Sequence, residues 1–104
     1  MKYFLIKYSF QSGSQKEWHQ EIQRFISALD GDPFLKDKIA YRSFRKDKDY
    51  FHLAAAADEQ TVKALQEREF FARYTKNAEL VGGGEVDVLP LEPVAETKFQ
   101  AGFV

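Results

Sequence analysis

The sequence predicts one small α+β domain of the ferredoxin-like type, in which the order β-α-β-β-α-β gives an antiparallel sheet covered by two helices on one face. Residues 38–57 carry the strongest signal, because two runs alternate at the two-residue period of a strand on either side of a block of charges. Apolar residues recur at three- and four-residue spacing both before and after this hairpin. The length of 104 residues, 44% of them hydrophobic, suits a single core.

The first strand and first helix come before the hairpin. Residues 3–10 alternate as in a strand, with one apolar face made of Phe4, Ile6, Tyr8 and Phe10. Ser14 and Glu17 have the spacing of a capping box at a helix start. A helical apolar stripe then follows, made of Trp18, Ile22, Phe25, Ile26 and Leu29. We expect this helix to end at Gly31 in the left-handed conformation, since Pro33 cannot continue it.

The second and third strands form the hairpin. In the second strand Ile39, Tyr41 and Ser43 share one face, and the other face holds Ala40, Arg42 and Phe44. In the third strand His52, Ala54 and Ala56 share a face. The five charged residues 45–49 are predicted to form the turn, because burying them would be costly.

The second half of the chain supplies the remaining helix and strand. Asp58 is a candidate N-cap for a short helix, which the aromatic cluster of residues 70–74 continues or restarts. Three glycines, 82–84, break that helix, and residues 85–91 return to strand alternation. The domain is therefore assigned to residues 1–91. Residues 92–104 form a C-terminal tail that is a candidate for packing on a partner subunit through its apolar anchors Val94, Phe99 and Phe103.

The composition excludes several classes of function. The 15 basic and 16 acidic residues are mixed along the chain, so we expect no partner among nucleic acids or membranes. The absence of cysteine excludes disulfides and thiolate catalysis. No apolar run approaches the ~20 residues that span a bilayer, and the N-terminus is too charged for a signal peptide. We predict a cytoplasmic protein.

Two strands are apolar on both faces, which bears on assembly. Residues 3–10 and 39–44 carry aromatic or aliphatic side chains on each side. The side of the sheet away from the helices therefore needs a cover, and the same surface of a second copy is the simplest one. We predict a homodimer.

The chain from about Lys2 to Leu91 resembles the antibiotic biosynthesis monooxygenase-like family of dimeric α/β-barrel proteins. The resemblance depends on the opening strand, the helix-breaking residues 31–33, the run Ile39 to Arg45 and the helix that leads into Phe70 and Phe71. It implies two sheets joined back to back, small-molecule pockets between sheet and helices, and cofactor-independent oxygenation of aromatic or quinol-type substrates. It also implies relatives that have no known activity.

Departures from the family pattern limit what the resemblance transfers. Family members commonly place Glu-x-Trp after the third strand, where this chain has residues 55–58, Ala-Ala-Ala-Asp. A histidine often lies in the second helix, where this chain has Ala64 and Leu65. No catalytic residue is therefore carried over, and the candidates come from local chemistry.

His52 is the first candidate for a catalytic base. Histidine titrates near neutrality, and the neighbouring Ala54 and Ala56 would leave open volume beside its ring for an aromatic ligand. The alternative, which the pattern favours, is a hydrogen-bonded histidine of the sheet. His19 borders the apolar stripe of the first helix and is interpreted as structural. The two histidines have no metal-ligand spacing, so we expect neither a metal nor another cofactor.

Tyrosines and arginines complete the set of candidates. Tyr41 and Tyr74 are the next candidates for a catalytic base. Arg42 and Arg45 are candidate ligand-binding residues, since a guanidinium holds an anionic oxygen, although the pattern favours the alternative that they face solvent and pair with the aspartates of the turn. Two aromatic residues are candidates for the wall of a ligand site, with ordinary core packing as the alternative: Trp18 and Phe71.

Three classes of function stay open at this point. The first is a small-molecule enzyme that resembles cofactor-independent monooxygenases. The second is a non-catalytic dimeric protein of the same fold that binds small molecules or is associated with stress. The third is an RNA-recognition domain, which has the same order of elements, but the strand 49–54 lacks the basic and glycine-aromatic run that stacks bases.

Overall fold

The computed structural model describes residues 1–99, which form four strands and three helices within that range. The elements are β1 (Lys2–Ser9), α1 (Gln15–Gly31), β2 (Ile39–Lys46), β3 (Asp49–Ala56), α2 (Glu59–Gln66), α3 (Glu69–Val81) and β4 (Asp87–Leu91). The predicted α+β class and element order are confirmed, with the second helix divided into α2 and α3. Phe103, predicted as an anchor of the tail, lies outside the described residues.

The four strands form one antiparallel sheet in the order β2-β3-β1-β4. Its register places Ser43, His52 and Ile6 side by side on the face that packs against the helices, which we call the inner face. The opposite, outer face consists of four rows of paired residues: Ala40, Ala55, Tyr3 and Leu91; Arg42, Leu53, Leu5 and Leu89; Phe44, Phe51, Lys7 and Asp87; and Lys46, Asp49 and Ser9. The helices therefore cover the inner face and leave the outer face uncovered in the single chain.

The core lies between the inner face and the helices. Aromatic side chains dominate it, and Tyr8 and Tyr50 from the sheet meet Trp18, Phe25 and Tyr74 from the helices. The apolar stripe predicted for α1 is confirmed, because its buried residues are Trp18, Ile22, Phe25 and Leu29. The ring planes of Phe25 and Tyr74 are parallel within 1°, with centroids 3.9 Å apart.

The hairpin turn is shorter than the sequence suggested. β2 runs through Lys46 and β3 begins at Asp49, so three of the five charged residues belong to strands. Asp47 takes a φ of 54°, in the left-handed region that aspartate tolerates better than most residues. The charges at the strand ends stay exposed, which removes the cost of including them in the ladder.

Both predicted helix N-caps are present, and the left-handed conformation predicted for Gly31 is wrong. The Glu17 backbone N–H donates to Ser14 Oγ at 3.2 Å, and the Thr61 N–H donates to Asp58 Oδ1 at 2.8 Å. Gly31 is not left-handed, since the glycines with positive φ are 13, 83 and 84. α1 does end at Gly31, and its C-cap is Asp32, whose carboxylate also accepts from Arg68 Nε at 2.7 Å, at the joint between α2 and α3.

The tail after β4 has no regular structure through residue 99. Its apolar side chains are exposed within the single chain, with Val94 at 97% and Phe99 at 82% of their full accessibility. Within residues 1–99, no helix combines the length and the hydropathy needed to cross a membrane.

Candidate functional site

A cavity of about 310 Å³ lies between the inner face of the sheet and the helices α2 and α3. Its wall is mostly apolar and includes Phe4, Ile6 and Phe71. The space exists because β3 contributes the small side chains Ala54 and Ala56 where larger ones would fill it. The volume is at the small end of the range for ligand sites, which suits a molecule of one or two rings.

A larger depression of about 650 Å³ lies at the open end of β1, beside the glycine loop. Charged side chains line it, including Lys7, Asp49, Glu85 and Asp87. It is a polar groove open to solvent, and it lacks the apolar enclosure that binds an organic molecule. The smaller cavity is therefore the candidate site.

His52 is the most buried polar group in the wall of the cavity, with 1% of its surface exposed. Both ring nitrogens are hydrogen-bonded: Nε2 lies 2.7 Å from Tyr8 Oη, and Nδ1 lies 2.6 Å from Ser43 Oγ. The register explains the second contact, because Ser43 is paired directly with His52. Burial lowers the pKa of His52 from 6.5 to about 4, so the ring is neutral at neutral pH.

Tyr41 and Tyr74 place a pair of hydroxyls in the same cavity, with their oxygens 2.9 Å apart. Burial raises the pKa of both phenols, and it raises the pKa of Tyr8 as well. The charge of Tyr8 would also raise the pKa of Tyr41, which indicates that the hydroxyls form one cluster. All of these groups are neutral at neutral pH.

Rings packed against one another hold this polar cluster in place. Tyr41 stacks on His52 with centroids 5.5 Å apart, and Tyr74 is held between Phe25 and Trp18. Such contacts fix ring orientation beyond what simple burial provides. The cavity thus has an apolar body and one polar end with fixed geometry.

Comparison with solved structures identifies the fold. SnoaB, a cofactor-independent oxygenase from Streptomyces nogalater, superposes with a TM-score of 0.76 at 12% identity, covering 94% of this chain and 97% of its own. The chain has the antibiotic biosynthesis monooxygenase fold. A structure described as an antibiotic biosynthesis monooxygenase has a TM-score of 0.75 at 11% identity, covering 91% of this chain and all of its own. Rv0793 from Mycobacterium tuberculosis has a TM-score of 0.74 at 9% identity, covering 93% of this chain and 98% of its own.

Comparison at the level of sequence finds no family model and no curated protein that matches this chain. The likeness to the monooxygenase fold is therefore one of structure, and it confirms the resemblance at the level of the fold.

The predicted site residues fall into two groups in this fold. His52, Tyr41, Tyr74 and Phe71 all line the cavity. Trp18 lies behind its wall, where it is 2% exposed and contacts lining residues.

The two arginines are separate from the cavity. Arg42 belongs to the outer face of the sheet. Arg45 lies at the hairpin end and donates to the Asp47 carbonyl at 3.3 Å. Neither is among the residues that line the cavity, so they are not part of the site described here.

Two residues of the polar end, Tyr8 and Ser43, were not among the sequence candidates. Ser43 lies on the same face of β2 as Tyr41, and it is paired directly with His52. Tyr8 reaches His52 because β1 pairs with β3. The signal that could have identified them is the register, which requires knowing which strands are neighbours.

Metal ligands are not clustered in the part of the chain that the structure describes. Residues 1–99 contain no group of three or more histidine, aspartate or glutamate side chains placed to hold a metal ion.

Proposed function

We propose that this protein is a cofactor-independent monooxygenase that acts on a small, neutral aromatic molecule of phenol or quinol type. The observation that carries the proposal is the mostly apolar cavity of about 310 Å³ with a neutral cluster of phenol and imidazole groups at one end. The shared fold adds support, because SnoaB is described as a cofactor-independent oxygenase.

The charge state of the cavity favours a neutral ligand. His52 and the tyrosines carry no charge at neutral pH, and the carboxylate-bearing Glu79 contributes to the wall. An anion that enters from water would lose hydration without gaining a positively charged partner, which is costly. A neutral ring with a hydroxyl or carbonyl oxygen avoids this cost.

The tyrosine pair supplies a donor for that oxygen. Tyr41 and Tyr74 have two hydroxyl hydrogens, and their mutual hydrogen bond uses one of them. Among residues 1–99 no second acceptor is observed for the pair, so one O–H is available to a ligand. This donor would hold a phenol or quinol oxygen and stabilise it as negative charge develops.

The chemistry requires deprotonation of the ligand, after which dioxygen reacts with the electron-rich anion and the substrate supplies the electrons. Moving a proton from a group with a pKa of about 10 to His52, with a pKa of about 4, costs about 8 kcal/mol. Attraction between the resulting ions about 5 Å apart, at an effective dielectric constant of about 20, returns about 3 kcal/mol. The remaining ~5 kcal/mol is compatible with turnover and favours substrates more acidic than a simple phenol.

The second candidate is a non-catalytic binding protein of the same fold. One observation favours it: both nitrogens of His52 already have partners, so the ring offers no free lone pair to a ligand. Binding and catalysis are therefore tested separately.

Binding is measurable through Trp18, the single tryptophan of the chain, because its ring stacks on Tyr74 in the cavity wall. Under argon, 1,4-naphthohydroquinone is expected to quench this fluorescence saturably, whereas its carboxylated analogue 1,4-dihydroxy-2-naphthoate is expected to bind at least tenfold more weakly. Equal affinity for both probes would contradict a neutral site.

Oxygen uptake then distinguishes the two candidate functions. Uptake by the hydroquinone in air, above the rate of its spontaneous oxidation, supports the monooxygenase. Saturable binding without added uptake supports the binding protein instead.

We also propose a homodimer formed by the outer face of the sheet. Two rows of this face, those that contain Leu91 and Leu89, are apolar apart from Arg42, and Phe44 is 48% exposed in the single chain. The other polar positions lie toward the hairpin end of the sheet: Lys7, Asp87, Lys46, Asp49 and Ser9. Four strands about 4.8 Å apart and about 25 Å long present roughly 500 Å² per copy. Two such faces bury about 1,000 Å², the size at which a specific interface begins. We propose in addition that the protein is cytoplasmic.

A further inference from the structure

Four polar side chains form one continuous line of hydrogen bonds through the core. Trp18 Nε1 donates to Tyr8 Oη at 2.7 Å, Tyr8 Oη lies 2.7 Å from His52 Nε2, and His52 Nδ1 lies 2.6 Å from Ser43 Oγ. The first three residues are buried, and Ser43 is half-buried in the middle of β2. The line therefore runs from the interior toward the surface.

A count of hydrogens fixes the direction of this line. The indole N–H of Trp18 can only donate, so Tyr8 Oη accepts from it. Tyr8 has one hydrogen of its own, and His52 Nε2 is its acceptor within residues 1–99. His52 Nε2 is then unprotonated, and the single hydrogen of the neutral ring lies on Nδ1 and is donated to Ser43.

The opposite direction is disfavoured. If His52 Nε2 carried the hydrogen and donated to Tyr8, the tyrosine oxygen would accept twice and its own hydrogen would have no acceptor. A buried hydroxyl in that state loses the hydrogen bond that it makes with water in the unfolded chain. Trp18 thus sets the tautomer of a ring that it does not contact through a hydrogen bond.

We propose that this chain is a directed proton relay in which Tyr8 receives the ligand's proton and His52 stores it. Tyr8 and His52 both line the cavity, and both nitrogens of His52 are already bonded, so the tyrosine oxygen is the route to the ring. The ligand O–H breaks as its proton moves to Tyr8 Oη, and the original Tyr8 hydrogen moves to His52 Nε2. The products are a ligand anion, a neutral tyrosine and an imidazolium that donates to Tyr8 and to Ser43.

The roles in the relay differ. Tyr8 is a catalytic residue in this scheme because it touches the ligand. Trp18 is a positioning residue that fixes the direction, and Ser43 connects the ring to solvent so that the stored proton can leave. The transfer step rests on the proposed function, whereas the direction of the chain does not.

The direction is tested in the free protein by ¹⁵N NMR of histidine-labelled samples. The chain has two histidines, so a His19→Gln variant assigns the spectrum. At neutral pH we expect the His52 Nδ1 signal in the range of a protonated nitrogen and the Nε2 signal in the range of an unprotonated one. The reverse pattern would overturn the directed chain.

Two variants test the role of Trp18. Trp18→Phe removes the N–H donor, so we expect both tautomers of His52 to be populated. Ser43→Ala is the control, because Tyr8 still donates to Nε2 and the tautomer stays unchanged. A single Nδ1–H tautomer in folded Trp18→Phe would overturn the positioning role. If that variant does not fold, Tyr8→Phe replaces it, since loss of the Tyr8 donor must move the Nε2 signal.

The transfer step is tested with 4-nitrophenol, whose phenolate has its own absorption band. In Tyr8→Phe we expect the ionised fraction of the bound phenol to fall about tenfold, a change of one in its apparent pKa. Unchanged ionisation in Tyr8→Phe would overturn the relay while leaving ligand binding intact. Failure of 4-nitrophenol to bind the wild-type protein would instead contradict the proposed function, and with it the transfer step; the NMR result decides the direction of the chain in either case.

Discussion

Protonation of His52 is expected to destabilise the fold, and the burial of the ring sets the size of the effect. Burial lowers the pKa of His52 from 6.5 to about 4 in the folded protein. The unfolded chain therefore takes up the proton first, and stability is full above pH 6.5 and falls as the pH drops toward 4. The difference of about 2.5 between the two pKa values, at 1.36 kcal/mol each, gives about 3 kcal/mol.

The assay is urea unfolding followed by the fluorescence of Trp18 at several pH values between 7 and 4. His52→Gln is the matched variant, because glutamine is polar and does not titrate. Both proteins share every carboxylate, including Asp58, whose pKa is lowered by hydrogen bonds from Thr61. The difference between their pH profiles therefore isolates His52.

We expect the wild-type protein to lose about 3 kcal/mol more than His52→Gln between pH 7 and pH 4. The absolute stability of the variant at pH 7 does not enter this comparison. Parallel profiles for the two proteins would refute the reasoning, since they would mean that the ring titrates in the folded protein as it does in water.

Three further predictions concern the fold and its assembly. Ser14→Ala should lower the free energy of unfolding by about 1 kcal/mol through loss of the bond from the Glu17 N–H, and unchanged urea unfolding would disprove this cap. The hydrogen bond from Arg68 lowers the pKa of Asp32 from 3.8 to about 2. The ionised carboxylate therefore stabilises the fold above pH 3.8, and this stabilisation is lost as the pH falls toward 2. Asp32→Asn should lack this dependence in acid unfolding, and a matching profile would count against the contact. Sedimentation at micromolar concentration should show a dimer that Leu89→Lys dissociates; a wild-type monomer would contradict the outer-face interface.

Local patterns in the sequence were sufficient for the elements of the fold. The alternation in residues 39–44 and 51–56 predicted both strands and the faces of their side chains, because the two-residue period depends only on the backbone. The sequence left open whether residues 70–74 continue or restart the second helix, and the structure has two helices, α2 and α3. Arg68, at the joint between the two helices, donates to Asp32, which is 36 positions earlier in the chain.

The candidate site was predictable only in part. His52, Tyr41 and Tyr74 emerge from side-chain chemistry, and all three line the cavity. Tyr8 becomes a site residue only when the pairing of β1 with β3 brings its hydroxyl to His52. Arg42 illustrates the opposite case, because its place on the face away from Tyr41 was already implied by the alternation of β2.

The most direct test of the account is whether filling the cavity abolishes binding of a neutral aromatic ligand. Ala54→Leu adds bulk to a residue of the cavity wall, and Ala72→Leu makes the same change on the exposed surface of α3. By fluorescence titration under argon, we expect 1,4-naphthohydroquinone to bind Ala54→Leu at least about tenfold more weakly than wild type, a loss of about 1.4 kcal/mol. Ala72→Leu should bind as wild type does. Unchanged affinity in folded Ala54→Leu would show that the ligand binds elsewhere and would contradict the central claim.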